Sequence, residues 1–277
     1  MNGSGRIGWS LRIACFLVAT CLVAPTLVVV PLSFTGQDSF KFPPQSWSTR
    51  YYTRFFTAPE WVSALQTSLE LAIIVTVLAT VLGTAAAYGL NRSRWRGAGL
   101  LNGVLLTPLI IPQIVMALAI YIAFLRWGLV GTMTGLVLAH TALAVPFVVV
   151  PVSASLRALD RRLENAAASL GASPAAVVRH VTLPLIASGV ISGAVFAFVT
   201  SFDEVVLSIY LQSPDLRTLP VKMFTSVTSD TDPTIAAAST VIVTATTLLI
   251  LGSQVLVAWK ARSVARRAAA RNSAVAA

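Results

Sequence analysis

Residues 154–184 read Ala-Ser-Leu-Arg-Ala-Leu-Asp-Arg-Arg-Leu-Glu-Asn-Ala-Ala-Ala-Ser-Leu-Gly-Ala-Ser-Pro-Ala-Ala-Val-Val-Arg-His-Val-Thr-Leu-Pro, a polar stretch with a strongly apolar segment on either side. Its apolar residues recur at steps of three and four between Leu156 and Leu170, which predicts a short amphipathic helix. Gly171 follows at the position where helices commonly stop with a left-handed glycine, so we expect the helix to end there.

A second short helix is predicted after this stop. Ser173 can cap its first turn and Pro174 suits its first position, while Leu183-Pro184 predicts its end and the start of the next apolar segment. The stretch is therefore expected to form a helix–turn–helix, which we call the bracket (residues 154–184). Periodicity alone leaves two interpretations open: an element that docks on a partner protein, or an amphipathic helix that lies on a membrane interface.

The composition indicates a membrane protein. The chain has 277 residues, 56% of them apolar and 11% charged, with a mean hydropathy of +0.80, which excludes an ordinary soluble domain. A helix crosses a hydrocarbon core of about 30 Å with roughly 20 apolar residues, and backbone groups in lipid must bond internally. Six suitable stretches occur, at about 13–33, 63–90, 101–125, 129–153, 185–210 and 236–259. The predicted fold class is an all-α membrane protein with six transmembrane helices and the bracket between helices 4 and 5.

The basic residues predict the orientation. With the N-terminus inside, the inner segments 1–12, 91–100, 154–184 and 260–277 hold 14 of the 20 Lys and Arg residues. This excess follows the positive-inside rule and predicts that both termini and the bracket are cytoplasmic. The chain then divides into a cytoplasmic N-terminus, a six-helix membrane domain over 13–259 and a basic cytoplasmic tail. Because the basic residues are scattered over loops and a tail, the net charge of +10 does not indicate nucleic-acid binding.

The bracket resembles the "EAA" signature of the membrane subunits of binding-protein-dependent ABC importers. That signature runs Glu-Ala-Ala, three residues, Gly, nine residues and Ile-x-Leu-Pro. This chain is similar to it at Ala166, Ala167, Gly171, Leu183 and Pro184, with Val181 in place of the isoleucine. It departs at the first position, where Asn165 replaces the glutamate and Glu164 stands one residue earlier, about 100° away around a helix.

This resemblance implies the permease subunit of an ATP-driven importer in the bacterial inner membrane, with the bracket docking in a groove of a cytoplasmic ATPase. The implied partners are cytoplasmic ATP-binding subunits, a second homologous permease, an external solute-binding protein and membrane lipid. Because the chain has no Gly-x4-Gly-Lys-Ser/Thr sequence, ATP and Mg²⁺ are expected on the partner, and the chain itself is not expected to be an enzyme. The residues implied in ATPase coupling are Leu163, Glu164, Asn165, Ala166, Ala167, Leu170, Gly171, Ala172, Ser173, Leu183 and Pro184.

Three carboxylates, Glu70, Asp203 and Glu204, lie in or near the apolar stretches, where a charge is costly unless it faces protein or water. The segment around Phe202, Asp203 and Glu204, with Arg217-Thr218-Leu219-Pro220 after it, resembles the polyamine (spermidine/putrescine) branch of the importer family. Carboxylates lining a path would offset the desolvation of a polycation, so these three carboxylates and Phe202 are the candidate substrate pathway. The alternative is structural, with the Asp203-Glu204 pair capping or joining neighbouring helices.

Three other features predict packing. Gly189 and Gly193 form a small-residue face that allows close helix approach. His140, a single histidine in the fourth stretch, is interpreted as hydrogen-bonded scaffolding. The aromatic residues of the outer loop 34–62 suit either an interfacial belt with local packing or a partner surface.

Other functions remain as alternatives. The same importer class could carry ferric iron, sulfate, an opine or another organic cation. An ATP-independent secondary transporter or channel would need coupled charges on several helices, whereas the membrane carboxylates here lie on two. A membrane enzyme or a metal site is not predicted, because the sequence shows no Ser/His/Asp set, aspartate pair or HExxH pattern.

Overall fold

A computed structural model describes residues 9–92, 96–230 and 232–276, which form helices joined by turns and two isolated bridges. The helices are α1 (Trp9–Ser33), α2 (Arg50–Thr57), α3 (Pro59–Arg92), α4 (Ala98–Leu106), α5 (Gln113–Trp127), α6 (Met133–Ala158), α7 (Arg161–Ser169), α8 (Pro174–Val177), α9 (Leu183–Leu185), α10 (Ala187–Phe202), α11 (Val206–Leu211), α12 (Leu219–Thr225) and α13 (Thr234–Ala276). The chain divides into a smaller unit, Met1–Val62 with Met223–Ala245, and a larger unit, Ser63–Lys222 with Thr246–Ala277.

Four helices, α1, α3, α6 and α13, are long and apolar enough to cross a membrane. Two further segments, Ala98–Leu109 with α5 and Pro174–Leu185 with α10, pass the same test as bent pairs. Counting each bent pair as one span gives six among the described residues, which confirms the predicted all-α membrane fold class. The backbone of α13 continues as helix to Ala276 and includes most of the predicted tail, whereas most of the predicted segment 1–12 lies outside the described residues.

The third predicted span, over 101–125, is strongly bent. Its two arms, Ala98–Leu109 and Gln113–Trp127, meet at 103°, and Pro112 occupies the N-cap of the second arm with φ −54° and ψ 127°. Proline removes a backbone donor and disfavours helical geometry in the residue before it, so Pro108 and Pro112 interrupt the helix. The predicted stretch 101–125 is therefore one bent span, divided near these prolines.

The fifth predicted span, 185–210, is also divided. The helical segment Pro174–Leu185 and α10 meet at a bend of 75°, and α11 is a separate short helix. The expected helix end at Leu183-Pro184 was wrong, because both residues lie in α9 and the break falls at Ile186, with φ −94° and ψ 7°.

The central helix of the larger unit is α6, whose apolar residues are buried over most of its length. Glycines let two other helices approach it closely. A Cβ added at Gly83 of α3 would lie 2.7 Å from Val148 Cβ, and one added at Gly193 of α10 would lie 3.0 Å from Val148 Cα. One turn away, a Cβ at Gly189 would lie 2.8 Å from the Pro151 carbonyl oxygen. The small-residue face predicted for α10 is therefore a packing surface against α6.

Replacing Gly189 by alanine is expected to destabilise the protein by roughly 1–3 kcal/mol, because the added methyl group overpacks against the backbone of α6. Thermal unfolding of the purified protein in mild detergent measures the effect. The matched control is Gly103→Ala in α4, where an added Cβ meets nothing within 4 Å and the gain in helix propensity should be neutral or favourable. Equal melting temperatures for the two variants would contradict close packing at Gly189.

The predicted outer loop folds within the smaller unit. Tyr51, Phe55 and Trp61 are buried, and the Phe55 and Trp61 rings meet edge to face with centroids 5.9 Å apart. Phe42 and Trp47 remain exposed. Local packing thus accounts for Tyr51, Phe55 and Trp61, whereas exposed aromatics such as Phe42 and Trp47 suit an interface with lipid or a partner.

Candidate functional site

The first helix of the bracket is shorter than its apolar pattern predicted. Helix α6 continues through the buried Leu156 to Ala158, and α7 begins only at Arg161. The Asp160 carboxylate accepts a hydrogen bond from the Arg162 backbone N–H at 2.9 Å and caps α7. The predicted start at Leu156 was wrong because that residue packs as the last turn of α6, and the cap separates the two helices.

The turn after α7 has the predicted left-handed glycine. Gly171 has φ +86°, and its N–H donates to the Ala168 carbonyl at 3.0 Å. The Ala172 N–H donates to the Ala167 carbonyl at 3.1 Å, and the two bonds together form a Schellman stop. The turn thereby satisfies carbonyl groups that the end of a helix would otherwise leave unpaired.

The second helix of the bracket begins as predicted. The Ser173 hydroxyl accepts from the Ala176 N–H at 3.3 Å, and Pro174 occupies the first helical position. A π turn over Val178–Thr182 widens the helix just before Pro184. The proline ring would crowd the preceding turn of a regular α-helix. Within the bracket, α7, the Gly171 turn and the four-residue α8 thus follow one another.

Most residues implied in ATPase coupling are exposed on the bracket. Leu170 is 88% exposed and Leu163 is 49% exposed, which is a large apolar surface for a nine-residue helix and its stop. The other exposed members are Asn165, Ala166, Gly171, Ser173, Leu183 and Pro184, and the partly buried ones are Ala167 and Ala172. The exposed surface around Leu163 and Leu170, which we call the tip of the bracket, thus presents apolar groups with polar groups beside them.

Among the predicted coupling residues, Glu164 bonds through its side chain to distant residues of the described chain. Arg92 Nη2 donates to one Glu164 oxygen at 3.0 Å, and Arg92 Nε lies 2.9 Å from the other as an ion-pair contact. The Thr182 hydroxyl donates to Glu164 at 2.7 Å. Burial raises the pKa of the Glu164 carboxyl, but the bonds from Arg92 and Thr182 and the charges of Arg92 and Arg161 outweigh it and hold the pKa below its ordinary value. These contacts therefore stabilise the fold above the ordinary glutamate pKa and lose that contribution as the pH falls through the lowered value.

Glu204 lies in the break between α10 and α11, with a side chain that is 1% exposed. One carboxylate oxygen accepts from the Gln113 amide at 2.8 Å and from the Leu207 N–H at 2.9 Å. The other accepts from the Ser208 N–H at 3.0 Å. Glu204 thus caps α11 and joins it to the start of α5.

His140 of α6 lies beside this carboxylate and is fully buried. Its Nδ1 lies 3.1 Å from the Ser201 hydroxyl, and its Nε2 lies 3.1 Å from the Ser208 hydroxyl and 3.7 Å from a Glu204 oxygen. The prediction of a hydrogen-bonded scaffolding histidine is confirmed. Gln113 was missed by the sequence reasoning, although a polar residue directly after a proline within an apolar stretch was a usable signal.

The other candidate pathway residues have different surroundings. Asp203 is exposed, although it adjoins the buried Glu204. Phe202 is buried and stacks on Phe198 with ring centroids 5.7 Å apart. Glu70 is exposed on α3, and no hydrogen bond or ion pair of the described residues joins it to Asp203 or Glu204.

Comparison with known proteins adds a family and several relatives. Residues 79–266 match the family described as binding-protein-dependent transport system inner membrane component. The chain is 30% identical over 235 residues to the spermidine/putrescine transport system permease protein PotC of Escherichia coli strain K12, across 85% of this chain and 89% of PotC. It is 33% identical over 250 residues to the putrescine transport system permease protein PotI of the same strain, across 87% and 89% of the two chains. A solved chain of a bacterial ABC transporter involved in the import of alginate shares the fold, with a TM-score of 0.67, 15% identity and coverage of 92% and 97%.

Proposed function

We propose that this chain, which belongs to the family of binding-protein-dependent transport system inner membrane components, passes a polyamine across the inner membrane under the control of a separate ATPase. The chain is a multi-pass permease subunit of an ABC importer and not an enzyme. Spermidine and putrescine are the solutes named for PotC and PotI, and they support this substrate class. Both termini and the bracket lie on the cytoplasmic side in this proposal, as the distribution of basic residues favours.

The observation that carries the substrate proposal is the exposed carboxylate of Asp203. A polyamine is a flexible polycation that loses hydration when it enters a protein path, and a carboxylate offsets part of that cost through charge-assisted hydrogen bonds. Asp203 is free to do so, because no hydrogen bond or ion pair of the described residues engages its side chain. Glu204 already accepts three hydrogen bonds from the protein, so its role in the proposed path is to hold the segment that carries Asp203.

The exposed apolar tip of the bracket supports the coupling proposal. Helices that dock in a groove bury an apolar face and leave polar groups at the rim, and Leu163 and Leu170 offer such a face. ATP and Mg²⁺ bind the partner in this scheme, and closure of the partner moves the bracket. A second permease and an external solute-binding protein complete the assembly.

Purification of the tagged chain from native membranes in mild detergent tests the proposal. We expect cytoplasmic ATPase subunits and a second permease in the preparation, and ATP-dependent uptake of labelled putrescine or spermidine after reconstitution with the solute-binding protein. Vesicles without ATP are the control. A chain that is stable alone, or uptake that proceeds equally without ATP, would favour the ATP-independent transporter instead.

A further inference from the structure

Three side chains from separate parts of the larger unit meet behind the bracket. Arg92 is the last residue of α3, Glu164 lies on α7, and Thr182 ends the π turn. Arg92 Nε lies 2.9 Å from one Glu164 oxygen, while Arg92 Nη2 donates to the other at 3.0 Å. The Thr182 hydroxyl donates to Glu164 at 2.7 Å. We call these three residues the clamp.

The clamp is well shielded from solvent, and its geometry is directional. The side chains of Arg92 and Glu164 are 16% and 11% exposed, and Thr182 is fully buried. A two-pronged guanidinium–carboxylate contact fixes orientation as well as distance, unlike a single exposed ion pair. The hydroxyl of Thr182 adds a hydrogen bond to Glu164 from the π turn. The clamp therefore determines how α7 is oriented relative to both α3 and the π turn.

A second connection runs parallel to the clamp. The Arg161 guanidinium donates to the Asn91 carbonyl oxygen, and the Asn91 amide donates to the Ser153 hydroxyl of α6 at 3.0 Å. The end of α3 is therefore joined to α7 at two consecutive residues and to α6 at one. With 34 residues, α3 is about 51 Å long, which exceeds the hydrocarbon thickness of about 30 Å and makes it a long rigid element.

The clamp faces away from the exposed surface of the bracket. The neighbours of Glu164 in sequence, Leu163 and Asn165, are both exposed, whereas the Glu164 carboxylate points to Arg92. A partner bound to the exposed face would therefore move α7 without touching Glu164. Any displacement of α7 would act on α3 through the clamp.

We propose that the Arg92–Glu164–Thr182 clamp transmits movement of the bracket to α3, so that Arg92 and Glu164 are positioning residues for transport. This inference rests on the proposed docking of the bracket on an ATPase. It assigns Glu164 an internal role, distinct from direct contact with the ATPase, and gives Arg92 a role of its own.

The test compares solute transported per ATP hydrolysed in the complete reconstituted transporter. Glu164→Gln keeps the side-chain shape, Arg92→Gln replaces the guanidinium by a shorter neutral amide, and each variant removes one charge. We expect both to lower this ratio about tenfold, which lies within the usual range of coupling between sites, while ATP hydrolysis and subunit assembly persist. The exchanged pair Arg92→Glu with Glu164→Arg restores opposite charges and is expected to recover much of the ratio.

The matched control is Arg157→Gln, which removes an exposed arginine from the end of α6 without altering the clamp. We expect a wild-type ratio for this variant. Single clamp variants with a wild-type ratio would overturn the inference, and so would a parallel fall of uptake, ATP hydrolysis and melting temperature, since that pattern describes a purely structural contact. A wild-type preparation without any ATPase subunit would overturn the proposed function itself, which distinguishes the two failures.

Discussion

Replacing Gly171 by proline is expected to reduce ATP-driven uptake at least about tenfold, while the chain still inserts in the membrane. Gly171 has φ +86°, whereas the proline ring fixes φ near −65° and removes the N–H that bonds to the Ala168 carbonyl. The Schellman stop cannot form, so α7 and α8 lose their mutual orientation and the tip of the bracket no longer fits a partner. Uptake and substrate-stimulated ATP hydrolysis, measured in the same vesicles, report the loss of coupling.

A graded series at this position separates backbone strain from side-chain contact. An added Cβ at Gly171 meets nothing within 4 Å, so any effect of alanine comes from the left-handed backbone and is expected to be about 1–2 kcal/mol. Asparagine tolerates this conformation better and should lie close to wild type. Substrate-stimulated ATP hydrolysis and uptake that are unchanged in the assembled proline variant would contradict the role assigned to the turn.

Glu204→Ala and Asp203→Asn are expected to fail in different ways although the residues are adjacent. Truncating Glu204 leaves the buried N–H groups of Leu207 and Ser208 and the amide of Gln113 without their acceptor. Unsatisfied buried groups cost about 1–3 kcal/mol each, so we expect little assembled transporter. Quantifying the permease that co-purifies with its partners, together with its melting temperature, measures this effect.

Asp203→Asn is expected to assemble normally and to raise the KM for polyamine uptake about tenfold, because in the proposed pathway the exposed carboxylate would contact the cation, and it bonds to no helix. A neutral solute tested with the same variant would serve as the control if one were transported. Wild-type uptake kinetics for Asp203→Asn would contradict the pathway role of Asp203 and, with it, the main support for the polyamine proposal. Normal assembly of Glu204→Ala would show that the cap of α11 is dispensable.

Local signals predicted much of this molecule. Gly171 and Ser173 were identified because a helix stop and a helix cap depend on a few neighbouring residues. The small-residue face of α10 was also visible, since Gly189 and Gly193 share one side of a helix. The size of the bend in the third span, 103°, could not be predicted, because a proline in an apolar stretch gives no angle without its neighbours.

Local sequence patterns could not predict which way the acidic side chains point. Glu164 turns inward because Arg92, 72 residues earlier in the chain, lies behind α7. Asp203 and Glu204 are adjacent in sequence, and which of the two is buried depends on Gln113 and His140 from two other helices. These contacts are tertiary, and a single sequence contains no direct record of them.

The bend between α4 and α5 also bears on how the chain enters the bilayer during synthesis. The helix α4 has 9 residues and α5 has 15, and both fall short of the roughly 20 needed to cross a hydrocarbon core alone. Neither arm is therefore a complete insertion signal for the translocation machinery. We expect the two arms to partition into lipid together, as one unit that settles only once α6 has emerged to pack against it.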